Sequence, residues 1–175
     1  MAIFAIGDMH LSMGTDKPMD VFPGWEGYLP RLEANWRKLI APEDTVVLVG
    51  DTSWAMHLKD TKADFSFLER RNFAFIQSLP GQKWLLKGNH DYWWTTTRKM
   101  ETFLAANGFD TLHILHNNAC IVDDTALCGT RGWPFDDTNA QDAKIMAREA
   151  GRLRMSLQAG GSAQKIAFLH YPPVY

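Results

Sequence analysis

Four short polar blocks hold the residues of this chain that could do chemistry: Gly7-Asp8-Met9-His10, Gly50-Asp51, Gly88-Asn89-His90-Asp91 and His170. They offer carboxylates, imidazoles and one amide, and no thiol. Oxygen and imidazole donors without thiolate suit manganese, iron, zinc or related divalent ions, and do not select one of them. This is the donor chemistry of a hydrolytic site built on paired metal ions. One Asp or Asn after a strand is more often a turn or a helix cap than a ligand. The weight lies in the repetition of the pattern along the chain.

Strands must bring these blocks together. Ala2 to Ile6 reads as a buried first strand. Thr45 to Val49 is a β-branched apolar run ending in Gly50-Asp51, the clearest strand of the chain. Lys83 to Leu86 runs into Gly88-Asn89-His90-Asp91. Between them, Pro30 to Ile40 places Leu32, Trp36, Leu39 and Ile40 on one helical face. Asp60 to Ser78 also reads as a helix, stopped by Pro80-Gly81, and Thr95 to Asn107 as another, stopped by Gly108. Leu11 to Gly27 has no clear period and reads as a long loop, of the kind that is often functional. Three strand–helix alternations predict an α/β fold with a parallel sheet. From Thr111 to Trp133, short apolar runs broken at Asn117-Asn118 and Asp123-Asp124 predict antiparallel or hairpin-linked strands. A helix over Thr138 to Leu157 and a strand over Ile166 to Leu169, ending at His170, complete the order. Sites in open α/β sheets form outside the carboxyl ends of the strands. Asp8, His10, Asp51, Asn89, His90 and His170 should therefore share one edge.

The composition fits a globular protein. At 175 residues with 46% apolar content the chain is expected to form one domain with a sizeable core. A net charge of −2 gives no support to nonspecific nucleic-acid binding. No run approaches the length of a membrane helix, and the N-terminus lacks a basic, cleavable leader, so a cytoplasmic location is expected. Cys120 and Cys128 read as small buried hydrophobes.

The three blocks Gly7-Asp8-Met9-His10, Gly50-Asp51 and Gly88-Asn89-His90-Asp91 resemble the first three motifs of the calcineurin-like metallophosphoesterases. His170 falls where that superfamily's fourth-motif histidine is expected. The wording Gly50 to Met56, Gly88 to Trp94 and Leu169 to Pro173 resembles a bacterial subgroup of phosphohydrolases. The resemblance implies a helix-flanked β-sandwich, α/β (α+β by strict count), with a βαβαβ first half. It implies that Asp8 and His10 bind one divalent ion, that Asp51 bridges two, and that Asn89 and His170 bind the second. A hydroxide between the ions would attack phosphorus, His90 would protonate the leaving oxygen, and Asp91 would orient His90. The substrate would be a small phosphomonoester or phosphodiester. Trp54, Ala55 and Met56 stand where the protein-phosphatase branch has Asp-Arg-Gly, which argues against that branch. The superfamily's closing Gly-His-x-His does not occur before Tyr175, so this single domain is expected to lack the family's C-terminal strands. Two rival expectations follow: a metal-poor binding or scaffold module on the same fold, and a nuclease, which would need a basic groove.

Other residues carry weaker signals. Arg131, in Gly129-Thr130-Arg131-Gly132-Trp133, could hold a substrate phosphate through its planar fork. Trp54, Tyr92, Trp93, Trp94 and Trp133 could wall the site, although large aromatics are more often core. His57, His113 and His116 read as ordinary surface or core histidines. Arg148, Arg152 and Arg154 read as the solvated face of their helix.

Overall fold

A computed structural model describes residues 1–13, 15–57, 65–134 and 140–173. Among the described residues seven strands and four helices follow one another: β1 (Ile3–Ile6), α1 (Tyr28–Leu39), β2 (Thr45–Val49), α2 (Phe65–Ser78), β3 (Gln82–Leu86), α3 (Thr97–Ala106), β4 (Leu112–Ile114), β5 (Ala119–Val122), β6 (Thr125–Thr130), α4 (Ala140–Ala159) and β7 (Gln164–Leu169). A 3-10 turn, Met19–Val21, lies in the long loop after β1. The expected helix starts at Asp60 and Thr138 fall outside the described residues.

The strands form two sheets, of order β1-β2-β3-β4 and β5-β6-β7. All pairs of the first are parallel. In the second, β5 and β6 form an antiparallel hairpin, and β7 joins β6 in parallel. The antiparallel expectation for Thr111 to Trp133 therefore holds for β5 and β6 and fails for β4. β4 follows α3, and a strand–helix–strand crossover delivers its second strand parallel to the first. The break at Asp123-Asp124 is the hairpin turn. Asp123 takes φ +50° there, as two-residue hairpins require.

Burial explains which runs become which elements. β2 is central and its first four residues are buried, which is why it reads as continuous Thr-Val-Val-Leu without alternation. One core lies beneath the helices, where Trp36, Phe73, Ile76, Leu79, Met100 and Leu104 pack on Val46, Leu48 and Leu85. A second joins Val47 and Leu86 to Leu115, Cys120, Val122 and Leu127, and so cements one sheet to the other. Both cysteines are free and buried, and burial pushes the Cys120 thiol up to about 11, as inert core positions should show. β1, β2 and β3 run the same way in one sheet and β6 and β7 in the other, and the carboxyl ends of β2 and β7 meet where His170 Nδ1 reaches the Val49 carbonyl at 2.9 Å.

Candidate metal centre

Alternation past β1 sets the first block. Met9 and Leu11 turn into the core, at 4% and 0% exposure, so Asp8 and His10 face the other way. The turns after β1 and β2 are stitched side by side: the amides of Asp8, His10 and Leu11 donate to the carbonyls of Gly50, Asp51 and Thr52 at 2.9–3.0 Å. This pairing bends the backbone sharply. Asp8, His10 and Asp51 take φ of +55°, +45° and +50°, left-handed conformations that side chains seldom adopt. Each costs about 1–3 kcal/mol and persists where the surroundings enforce it, commonly at functional sites.

Asp51 is the hub. Its carboxylate is almost fully buried, and each oxygen serves a different side. Oδ2 lies 3.7 Å from His10 Nε2 and 2.8 Å from His90 Nδ1, while Oδ1 lies 3.7 Å from His170 Nε2. Asp8 Oδ1 is 3.6 Å from His10 Nε2. Two groups of donor atoms result, each within 4.8 Å: His10, Asp51 and His90, and Asp8, Asp51 and His170. The separations of about 3.6 Å are too long for hydrogen bonds. They match two donors converging on one ion at roughly 2.0–2.2 Å from each.

His170 shows the same readiness. Its Nδ1 sits 2.9 Å from the Val49 carbonyl, to which it can only donate. That leaves the Nε2 lone pair directed at Asn89 Oδ1, 2.7 Å away. Two acceptors facing one another are reconciled by a cation that both bind, and the outer carbonyl fixes the ligating tautomer. Burial keeps the His10 imidazole below its ordinary value against the pull of Asp51 and Asp8, with His90 and His170 adding to the depression. A neutral ring is the form that ligates. The donor set thus fits divalent ions in its oxygens and in the state of the His10 ring.

Asp91 does not orient His90. Its oxygens accept from the amides of Gly88, Asp51 and Thr52 at 2.7, 2.9 and 2.8 Å, and from the Trp93 indole at 3.0 Å. Burial pushes its carboxyl upward while the Gly88 and Thr52 amides pull it back. Asp91 therefore clamps the turn after β3 to the turn after β2. The His90 ring instead meets Asp51, whose Oδ1 also accepts the His90 amide at 2.8 Å.

The aromatic expectations divide. Trp93 is 2% exposed, edge-on to Phe73, and belongs to the core rather than to a substrate wall. Trp54 does line the site, but its ring is stacked on His10 at 4.9 Å, tilted on His90 at 4.9 Å, and capped by Lys17 Nζ at 4.4 Å. It packs against two imidazoles and a lysine. Arg131 lies at the end of β6, 13% exposed, between Trp133 and the buried Glu149. Arg148 and Arg152 are not simply solvated, since both approach Glu149, at 3.6 and 2.7 Å. Two charged residues escaped the sequence reading: Lys87, which closes β3's apolar run, and Glu149, hidden among arginines in α4. A lysine next to a Gly-Asn-His block was the available signal for the first.

The family model for calcineurin-like phosphoesterases matches residues 1–174. The chain belongs to this family. Among solved structures, a protein of unknown function from Aquifex aeolicus, AQ665, is similar in fold, with a TM-score of 0.50 at 18% identity over 97% of this chain and 90% of that one. No curated protein matches. Family membership suggests phosphoester hydrolysis that depends on divalent metals, and the two donor groups centred on Asp51 are where this phosphoesterase would hold them. No helix among the described residues is long and apolar enough to cross a membrane.

Proposed function

We propose that this phosphoesterase is a dinuclear metal-dependent hydrolase of small phosphomonoesters or phosphodiesters. The division of one buried carboxylate between two donor groups carries the reading: Asp51 turns Oδ2 to His10 and Oδ1 to His170. Asp8 and His10, 3.6 Å apart, would serve one ion and Asn89 and His170, 2.7 Å apart, the other, with Asp51 shared; Asp8 also lies within reach of the Asp51 and His170 donors, and His90 is assigned to the proton rather than to an ion. When bound, such ions polarise the phosphoryl oxygens and offset their charge. The chain's own residues do the rest. His90 is the open member of the group, with a side chain 36% exposed and Nδ1 held by Asp51 at 2.8 Å. Beyond a long 3.4 Å approach from Asn89 Nδ2, its Nε2 is open to the substrate; in the protonated ring it hands its proton to the departing ester oxygen, while water oxygen forms the new bond to phosphorus and the water's own proton passes to solvent. Trp54 holds the His10 and His90 rings at fixed angles.

The test is hydrolysis of an aryl phosphate and an aryl phosphodiester by the manganese-loaded protein. Turnover above a chelator control, lost in Asp51→Asn and reduced about 10²–10⁴-fold in His90→Ala, is expected. Absence of turnover on both substrates would replace this reading with that of a binding module.

A further inference from the structure

Beyond Tyr171, at the same strand-end edge, lies a group of cations that the metal donors do not use. Arg131 stands 3.6 Å from Glu149 Oε1 and 4.6 Å from the centre of the Trp133 ring. Its Nε is buried and has no hydrogen-bond partner. Glu149 approaches this guanidinium only through Arg131 Nη2, at 3.6 Å, while its oxygens accept from Thr130 Oγ1 and from Arg152 at 2.7 Å each. Arg148 is a third arginine on the same carboxylate, at 3.6 Å.

One buried carboxylate thus serves three arginines. Partly desolvated cations in excess over their counter-ions are costly unless an anion joins them. The group is close to the metal donors without overlapping them. The Arg131 carbonyl accepts the amide of Tyr171, next to His170, at 2.8 Å. We infer that Arg131, Arg148 and Arg152 form a second anion subsite, which holds a non-reacting phosphate of the substrate while another is cleaved at the metals. The substrate class is then a small molecule with two phosphates. This rests on the phosphoesterase reading. Arg131 suits the task because its planar fork binds two phosphate oxygens at once, and the Trp133 face supports the guanidinium from behind.

The experiment titrates the chelator-treated chain with inorganic phosphate by calorimetry, so that no metal contributes. Saturable binding is expected, weakened at least tenfold in Arg131→Met and in Arg152→Met and unchanged in Arg98→Met, an exposed residue of α3. Where Arg131→Met lowers the melting temperature, Arg131→Lys and Arg148→Met decide, since the first keeps the charge and loses the fork and the second removes a half-exposed side chain. No saturable binding, or equal binding by all variants, would overturn the subsite. The two readings fail separately: an inert protein that still binds phosphate through these cations refutes hydrolysis alone. An active one whose phosphate binding ignores them refutes the subsite alone.

Discussion

Asp91 illustrates how one side chain can matter to a site without facing the substrate. It accepts three backbone amides from two different turns and the Trp93 indole. Asparagine would keep one carbonyl oxygen and turn an NH₂ toward donors. Asp91→Asn should therefore lose about 2–4 kcal/mol of unfolding free energy in urea, measured without metal. A loss under half a kcal/mol would mean that the turns hold themselves. Trp54 makes a kinetic argument at the same scale. Its ring contacts His10, His90 and Lys17, so it acts through them. Trp54→Ala should lower kcat by about 10–100-fold with KM little changed, because the imidazoles lose their angle. Trp54→Phe should recover most of it. A raised KM at constant kcat would return Trp54 to the role of a substrate-stacking ring.

At the scale of elements, the turns after β2 and β3 are as constrained as the donors. Gly50 has φ +88°, and a Cβ there would stand 2.6 Å from His170 Nδ1. A Cβ on Gly88 would overlap the amide and Oδ1 of Asp51. Gly88→Ala should abolish manganese binding, read by calorimetry, while far-ultraviolet circular dichroism stays close to that of the parent. β3 holds a different constraint at its other end. Lys83 is fully buried, donates to the Leu79 carbonyl at 2.6 Å, and is lowered by burial from 10.5 to about 8. Between those values the unfolded chain keeps a proton that the native chain has released. Stability should climb as pH rises through that window, by about 3 kcal/mol, and Lys83→Met should remove the climb and be the more stable protein at pH 7. These same elements show what the amino-acid order reveals. β2 was legible to the residue because a buried parallel strand must be an unbroken apolar run, and Gly50-Asp51 marks its end. β4 was not, because pairing direction depends on the helix before it and on β3, far away in sequence. Asp8, His10, Asp51, Asn89, His90 and His170 were legible as a set since each follows a strand. Asp91's contacts with the turn after β2, 39 and 40 residues away, and the meeting of Arg131 with Glu149 across two elements were hidden, being contacts between separate segments.

For the whole molecule, the centre joins β1, β2 and β3 of one sheet to β7 of the other through Asp51 and His170. Ions bound there would tie the two sheets at the edge as the Val47–Leu127 core ties them inside. They would also offset the crowding of Asp8 with Asp51 and the three left-handed residues that present the donors. Metal should therefore act as a stabilising ligand of the native state alone. At a hundredfold excess over Kd, one ion adds about 2.7 kcal/mol. A domain of this size gains roughly 2–4 °C per kcal/mol, so manganese should raise Tm by about 5–10 °C per ion, reversibly on chelation. The variants should rank by how many donor groups they break. His170→Ala should keep part of the shift, since His10 and Asp8 still serve one ion, whereas Asp51→Asn should lose nearly all of it because its carboxylate belongs to both. Equal residual shifts in the two variants, measured by calorimetric scanning, would mean that Asp51 is not shared, and the two donor groups would then be independent sites on separate sheets.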